Sequence, residues 1–136
     1  MTATSALVPQ GKLALRLVAM RSDTNARGKL FGGWVVSQMD IAGGLVAVER
    51  AAGSVVTVKI EGVTFYQPAG VGDVIEVYTD VVRIGRTSLT LFIQVWARRY
   101  ATLDYATIAD GRFVFVAVDE SGRPRAIPET DPNPGV

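Results

Sequence analysis

The chain has 136 residues, 49% hydrophobic and 20% charged, with a formal net charge of +1. That suffices for one folded domain with its own core and not for two, and the near-neutral balance without a basic block argues against nucleic acid as a partner. The absence of cysteine and histidine excludes disulfides, thiolate metal sites, cysteine nucleophiles and the Ser-His-Asp triad, so any acid–base chemistry must come from Asp, Glu, Lys, Tyr or water.

Residues 1–10 are mostly small or polar and read as a loose arm. They lack the basic start and apolar core of a signal peptide. Asp40 interrupts the best candidate for a membrane span, and Glu49 and Arg50 close it. The expectation is a cytoplasmic protein with no membrane insertion. Residues 12–20 alternate Leu13, Leu15 and Leu17 with Ala14, Arg16 and Val18, which predicts a strand, with helix as the alternative. Residues 21–29 form a loop rich in side chains that bond to nearby backbone, including Asp23 and Asn25.

Gly32 and Gly33 open a helix. At about 100° per residue, Trp34, Ile41, Leu45 and Val48 share one apolar stripe. Asp40 falls elsewhere, among Val36, Ser37, Gly43, Gly44 and Ala47. The helix is apolar almost all round and is expected to be buried along most of its length. Strands follow at residues 54–66, 74–83, 88–100 and 112–118, with residues 102–111 reading as a loop and the start of the last strand. Short connections suggest that these strands are antiparallel neighbours. The tail from residue 129 is expected to be disordered. The whole is a single α+β domain, residues 1–136, in which a curved antiparallel sheet of about five strands wraps one long helix. No proline or inward charge blocks the sheet edges, so edge-to-edge pairing into a homo-oligomer is expected.

Asp40 is the first chemical candidate. A short carboxylate competes for backbone groups within a helix, and Gly43 and Gly44 one turn on cost up to about 1 kcal/mol each relative to Ala. Such clustered breaches of local preference suggest a site, although local pairing of Asp40 is an equally plain reading. The Gly32–Gly33 pair would ordinarily be a tight turn. Free N–H groups at a helix start can also hold an anion or a developing oxyanion. Asp40 lies about two turns, roughly 10 Å, further along the axis, too far for both to reach one atom within one subunit. Asn25 can donate and accept, so it could hold a water or a carbonyl. Arg83, Arg86, Arg98 and Arg99, with Arg123 and Arg125, lie near strand ends, where a solvated rim is the plain reading and phosphate binding the functional one.

Taken together, Asp-Thr-Asn-Ala-x-Gly-x-Leu-Phe-Gly-Gly-Trp, Ser-Gln-Met-Asp at 37–40, Glu-Gly-Val-Thr-Phe at 61–65, Ile-Gly-Arg-Thr-Ser at 84–88 and Val-Trp-Ala-Arg-Arg at 95–99 resemble the hotdog-fold acyl-CoA thioesterases. The resemblance covers most of the chain and is nearest to the YciA type. It implies hydrolysis of acyl-CoA to free acid and CoA without a metal or a cofactor, coenzyme A being part of the substrate. It implies a homodimer as minimal unit, assembled further as a homohexamer, with each site shared between two subunits. Asp40 matches the family's catalytic carboxylate, acting as general base or nucleophile. Asn25 matches a positioning residue, and the Gly32 or Gly33 N–H would polarise the thioester carbonyl. Gly85, Arg86, Thr87, Ser88, Arg98 and Arg99 match positions that hold CoA. Lys29 departs from the pattern by placing a positive charge near the site. A non-catalytic acyl-CoA-binding module is the alternative, disfavoured by the retained Asp40 and Asn25. A hotdog dehydratase is disfavoured by the missing histidine.

Overall fold

The computed structural model describes residues 8–132. Strand β1 (Lys12–Val18) and a 3-10 turn (Arg21–Asp23) lead into helix α1 (Gly32–Ala51). Strands β2 (Val55–Phe65), β3 (Val74–Ile84), β4 (Ser88–Arg98) and β5 (Tyr105–Ala117) follow. All five strands form one antiparallel sheet in the order β1-β3-β4-β5-β2. The helix begins where Phe31 turns out of extended backbone and ends at Ala52, whose left-handed φ of 55° stops it.

Three expectations change. Only β3, β4 and β5 form a meander. β2 does not pair with β3 but crosses to β5 at the far edge, while β1 takes the place beside β3. The connection between β2 and β3 (residues 66–73) is a looped crossover rather than a hairpin, held by Leu30 N–H to the Ala69 carbonyl and Asp73 N–H to the Gly70 carbonyl. Second, α1 is buried on one side only. Val35, Met39, Ala42, Gly43, Ala47 and Ala51 face the sheet. There they join a core containing Ile75, Val77, Leu91, Ile93, Val95, Phe113 and Phe115. The apolar stripe remains open, with Ile41 49%, Leu45 53% and Val48 43% exposed. Gly43 allows this approach, since a Cβ there would lie 2.7 Å from Ile93 Cδ1 and 2.9 Å from Phe115 Cζ.

The last strand begins at Tyr105, so most of residues 102–111 belongs to β5. β2 is exposed along nearly its whole length, including Val56, Val58 and Ile60. Beyond β5 the chain folds back over the helix end. Ile127 is buried and donates its N–H to the Arg86 carbonyl, and Arg125 donates to the carbonyls of Val118 and Ala51. In the tail expected to be disordered, the Glu129 carbonyl accepts a hydrogen bond from Arg50 at 3.3 Å. Residues 1–7 of the expected arm and 133–136 of the tail lie outside the described residues.

Candidate active site

Asp40 sits half-buried on the flank of α1 that faces β2. Thr57 Oγ1 on β2 donates to Asp40 Oδ1 at 2.6 Å. No other hydrogen-bond partner of this carboxylate occurs among the described residues, so Oδ2 remains available to a water or substrate. Both residues line an open groove of about 1260 Å³. Gly44 lines it too, and a Cβ there would touch only Phe115 Cε2, at 4.0 Å. The two glycines therefore differ: Gly43 lets the helix pack, and Gly44 leaves space beside the carboxylate. Thr57 was not singled out in the sequence. A hydroxyl within Val-Val-Thr-Val reads as an ordinary strand residue, and only the three-dimensional return of β2 past the helix reveals its partner.

The second candidate region is the start of α1. Phe31 supplies no side-chain cap. The first helical bond runs from Val35 N–H to the Phe31 carbonyl at 3.1 Å. The N–H groups of Gly32, Gly33 and Trp34 have no acceptor among the described residues, and they carry the partial positive charge of the helix end. A Cβ on Gly33 would meet nothing within 4 Å, whereas one on Gly32 would lie 3.3 Å from Phe65 Cζ. Gly32 also lines a separate cavity of about 330 Å³ with Phe65, Pro68 and Ile108. Asp40 lines the groove and not this cavity, and the two are roughly 10 Å apart along the helix axis by residue count.

Asn25 spends its side-chain oxygen on the loop, accepting from Arg27 N–H at 2.9 Å and Lys29 N–H at 3.1 Å. Only its amide NH₂ is left to reach a substrate. Asp23 is a turn residue, accepting Met20 N–H at 2.9 Å. Nearby, Asp73 is 7% exposed. Burial pushes its carboxyl up, but the N–H groups of Gly70 and Tyr100 and the Arg99 guanidinium outweigh this and hold it below the ordinary value.

The candidates for holding CoA do not form one group. Gly85, Arg86, Thr87 and Ser88 make the tight β3–β4 turn, closed by Gly85 N–H to the Ser88 carbonyl at 2.7 Å. Arg98 and Arg99 lie at the other end of β4, Arg98 ten residues beyond Ser88, or roughly 34 Å at the rise of an extended strand. The turn lies near the end of α1, where Arg125 ties Ala51 to the tail. Arg99 lies near its start and bonds the Pro68 carbonyl, Asp73 and Gln67. Arg86 and Arg98 are exposed. Among the described residues no three metal-ligating side chains cluster, and no helix is long and apolar enough to cross a membrane.

A five-stranded antiparallel sheet packed against one long helix, with a carboxylate on that helix and free amides at its start, is the hotdog arrangement. The chain belongs to the thioesterase superfamily, whose family model matches residues 27–101. It is 48% identical over 124 residues to the acyl-CoA thioester hydrolase YciA of Escherichia coli, covering 89% of this chain and 94% of that one. Its fold matches the hexameric thioesterase y2039 of Yersinia pestis with a TM-score of 0.87 at 44% identity, over 90% of this chain and 100% of that one. It also matches a hexameric hotdog fold thioesterase of Campylobacter jejuni, with a TM-score of 0.83 at 36% identity over 88% and 92% of the two chains.

Proposed function

We propose that the protein hydrolyses acyl-CoA thioesters to a carboxylic acid and CoA at a site shared by two subunits. The reaction class is that of the relatives named above, and the observation that carries the site assignment is the Asp40–Thr57 pair in the groove. In this reading a water is held by the free oxygen of Asp40, which takes its proton as the water oxygen attacks the thioester carbonyl carbon. The carbonyl electrons move onto oxygen, and the Gly32 or Gly33 N–H groups of a second subunit hold that oxyanion. Collapse re-forms the carbonyl, breaks the carbon–sulfur bond and releases the CoA thiolate, which takes up a proton. Thr57 fixes the rotamer of Asp40, and the Asn25 NH₂ orients the water or the carbonyl. Every atom of the product comes from substrate and water.

The sheet edge supports a homodimer. β2 is long and exposed, and its residues from 55 to 65 are centred on Ile60. Antiparallel pairing of two such strands about that centre places the Thr57 end of one beside the Phe65 end of the other. Phe65 packs over Gly32, so Asp40 of one copy meets the helix start of its neighbour. The open Val56, Val58 and Ile60, together with the Ile41, Leu45 and Val48 stripe, supply apolar surface for such an interface. A hexamer, as in the Yersinia and Campylobacter proteins, would be built from this dimer. Gly85, Arg86, Thr87, Ser88 and Arg98 remain the proposed contacts for CoA, contributed to different sites because one strand separates them. Residence in the cytoplasm fits a substrate carried on CoA.

The test is thiol release from acetyl- to palmitoyl-CoA by the native protein and by Asp40→Asn, which keeps shape and removes the base. Native turnover with a loss of about 10²-fold or more in kcat for the variant is expected. Undiminished release by Asp40→Asn overturns the role of Asp40. Tight acyl-CoA binding without release at any chain length identifies a binding module instead.

A further inference from the structure

The loop after β2 carries the start of the helix. Leu30 donates its N–H to the Ala69 carbonyl at 2.8 Å, and Lys29 pairs with Gly70 in a β-bridge. A Cβ on Gly70 would lie 2.9 Å from the Gly28 carbonyl oxygen, so loop and helix lead-in are in direct contact. Leu30 stands two residues before the first helical position, and displacement of residues 67–70 displaces the N–H groups of Gly32 and Gly33.

That loop is held in turn from the end of β4. Arg99 Nη1 donates to the Pro68 carbonyl at 2.6 Å and to Asp73 Oδ2 at 3.2 Å, and Nη2 donates to Gln67 Oε1 at 3.4 Å. Asp73 Oδ2 also accepts Gly70 N–H at 3.0 Å, and Oδ1 accepts Tyr100 N–H at 2.9 Å. The pair therefore grips both ends of the loop. A guanidinium turned inward onto a carbonyl, a carboxylate and an amide presents few donors to a phosphate, whereas its neighbour Arg98 is exposed.

We propose that Arg99 and Asp73 are positioning residues for the thioester carbonyl, acting through the 67–70 loop to fix the amide groups at the start of α1, and that Arg99 is not a ligand for the CoA phosphates. This rests on the reading that the helix start binds the carbonyl. A loop displaced by even an ångström misaligns donors whose value lies in being preorganised.

The test compares Arg99→Gln and Arg99→Lys with the native protein on acetyl-CoA and on S-acetyl-pantetheine, which keeps the thioester and lacks the nucleotide. Assays are run well below each variant's Tm. Arg99→Gln lowers kcat about tenfold or more on both substrates by the same factor. Arg99→Lys recovers part of the loss on both, because it keeps the charge opposite Asp73. A rise in KM confined to acetyl-CoA, with kcat intact, makes Arg99 a phosphate ligand and overturns the proposal. Unchanged kinetics on both substrates in both variants overturn it too. If Arg99→Gln does not fold, the kcat–KM split of Arg99→Lys on the two substrates decides alone. Failure of the underlying reading is distinct: Gly33→Val then turns over both substrates normally, whatever the Arg99 variants do.

Discussion

At the scale of single residues, the Asp40–Thr57 contact ties the proposed chemistry to the fold. A hydroxyl donating to a carboxylate at 2.6 Å is a short, charge-assisted bond. It selects one rotamer of a side chain otherwise free to turn along the groove. Thr57→Ala is expected to lower kcat by about one to two orders of magnitude with little change in KM, since a mispositioned base loses rate more than binding. Thr57→Ser keeps the hydroxyl and is expected to recover most of the rate. Asp73 makes a separate prediction. Its carboxyl is held below the ordinary value of 3.8 by its amide and guanidinium partners. A depressed folded-state pKa contributes stability above the unfolded value, and that stability is lost as pH falls through the folded one. Below pH 4 or so, thermal melting of the native protein should therefore fall more steeply than that of Asp73→Asn.

At the scale of elements, the helix divides its small residues between packing and space. Gly43→Ala forces a methyl against Ile93 and Phe115 in a filled core. Overpacking of this kind costs about 1–3 kcal/mol, against a gain in helix propensity of up to about 1 kcal/mol. Gly44→Ala meets only ordinary contact and keeps the propensity gain. Melting should show Gly43→Ala destabilised and Gly44→Ala level with or above the native protein, measured side by side. Much of this element was legible beforehand. The Gly32-Gly33 start, the odd Asp40 and its separation from the helix start all follow from local chemistry and helical geometry. The partner of Asp40 was not legible, because it depends on β2 crossing the sheet to pair with β5. That is a long-range choice that local alternation does not encode. The strand between the 85–88 turn and Arg99 was legible as well; the inward bonds of Arg99 to Pro68, Asp73 and Gln67 were not, because they depend on where the loop after β2 lies.

At the scale of the whole molecule, a single copy holds, under the proposed function, two incomplete halves. The carboxylate groove and the amide-bearing helix start open at different places, and the long β2 edge together with the Ile41, Leu45 and Val48 stripe is open between copies. Pairing two copies through β2 would cover apolar surface, end an exposed sheet edge and complete two sites at once. The most direct test mixes two inactive forms. Asp40→Asn removes the proposed base, and Gly33→Val puts a branched side chain beside the helix-start amides, at a position where a Cβ meets nothing within 4 Å. Each alone should fold and hydrolyse acetyl-CoA poorly. Co-refolded in equal amounts, half of the dimers are mixed and each mixed dimer holds one intact site of two, so activity should rise to about a quarter of the native level. No recovery in mixed dimers, verified by differential tagging, would contradict a shared site.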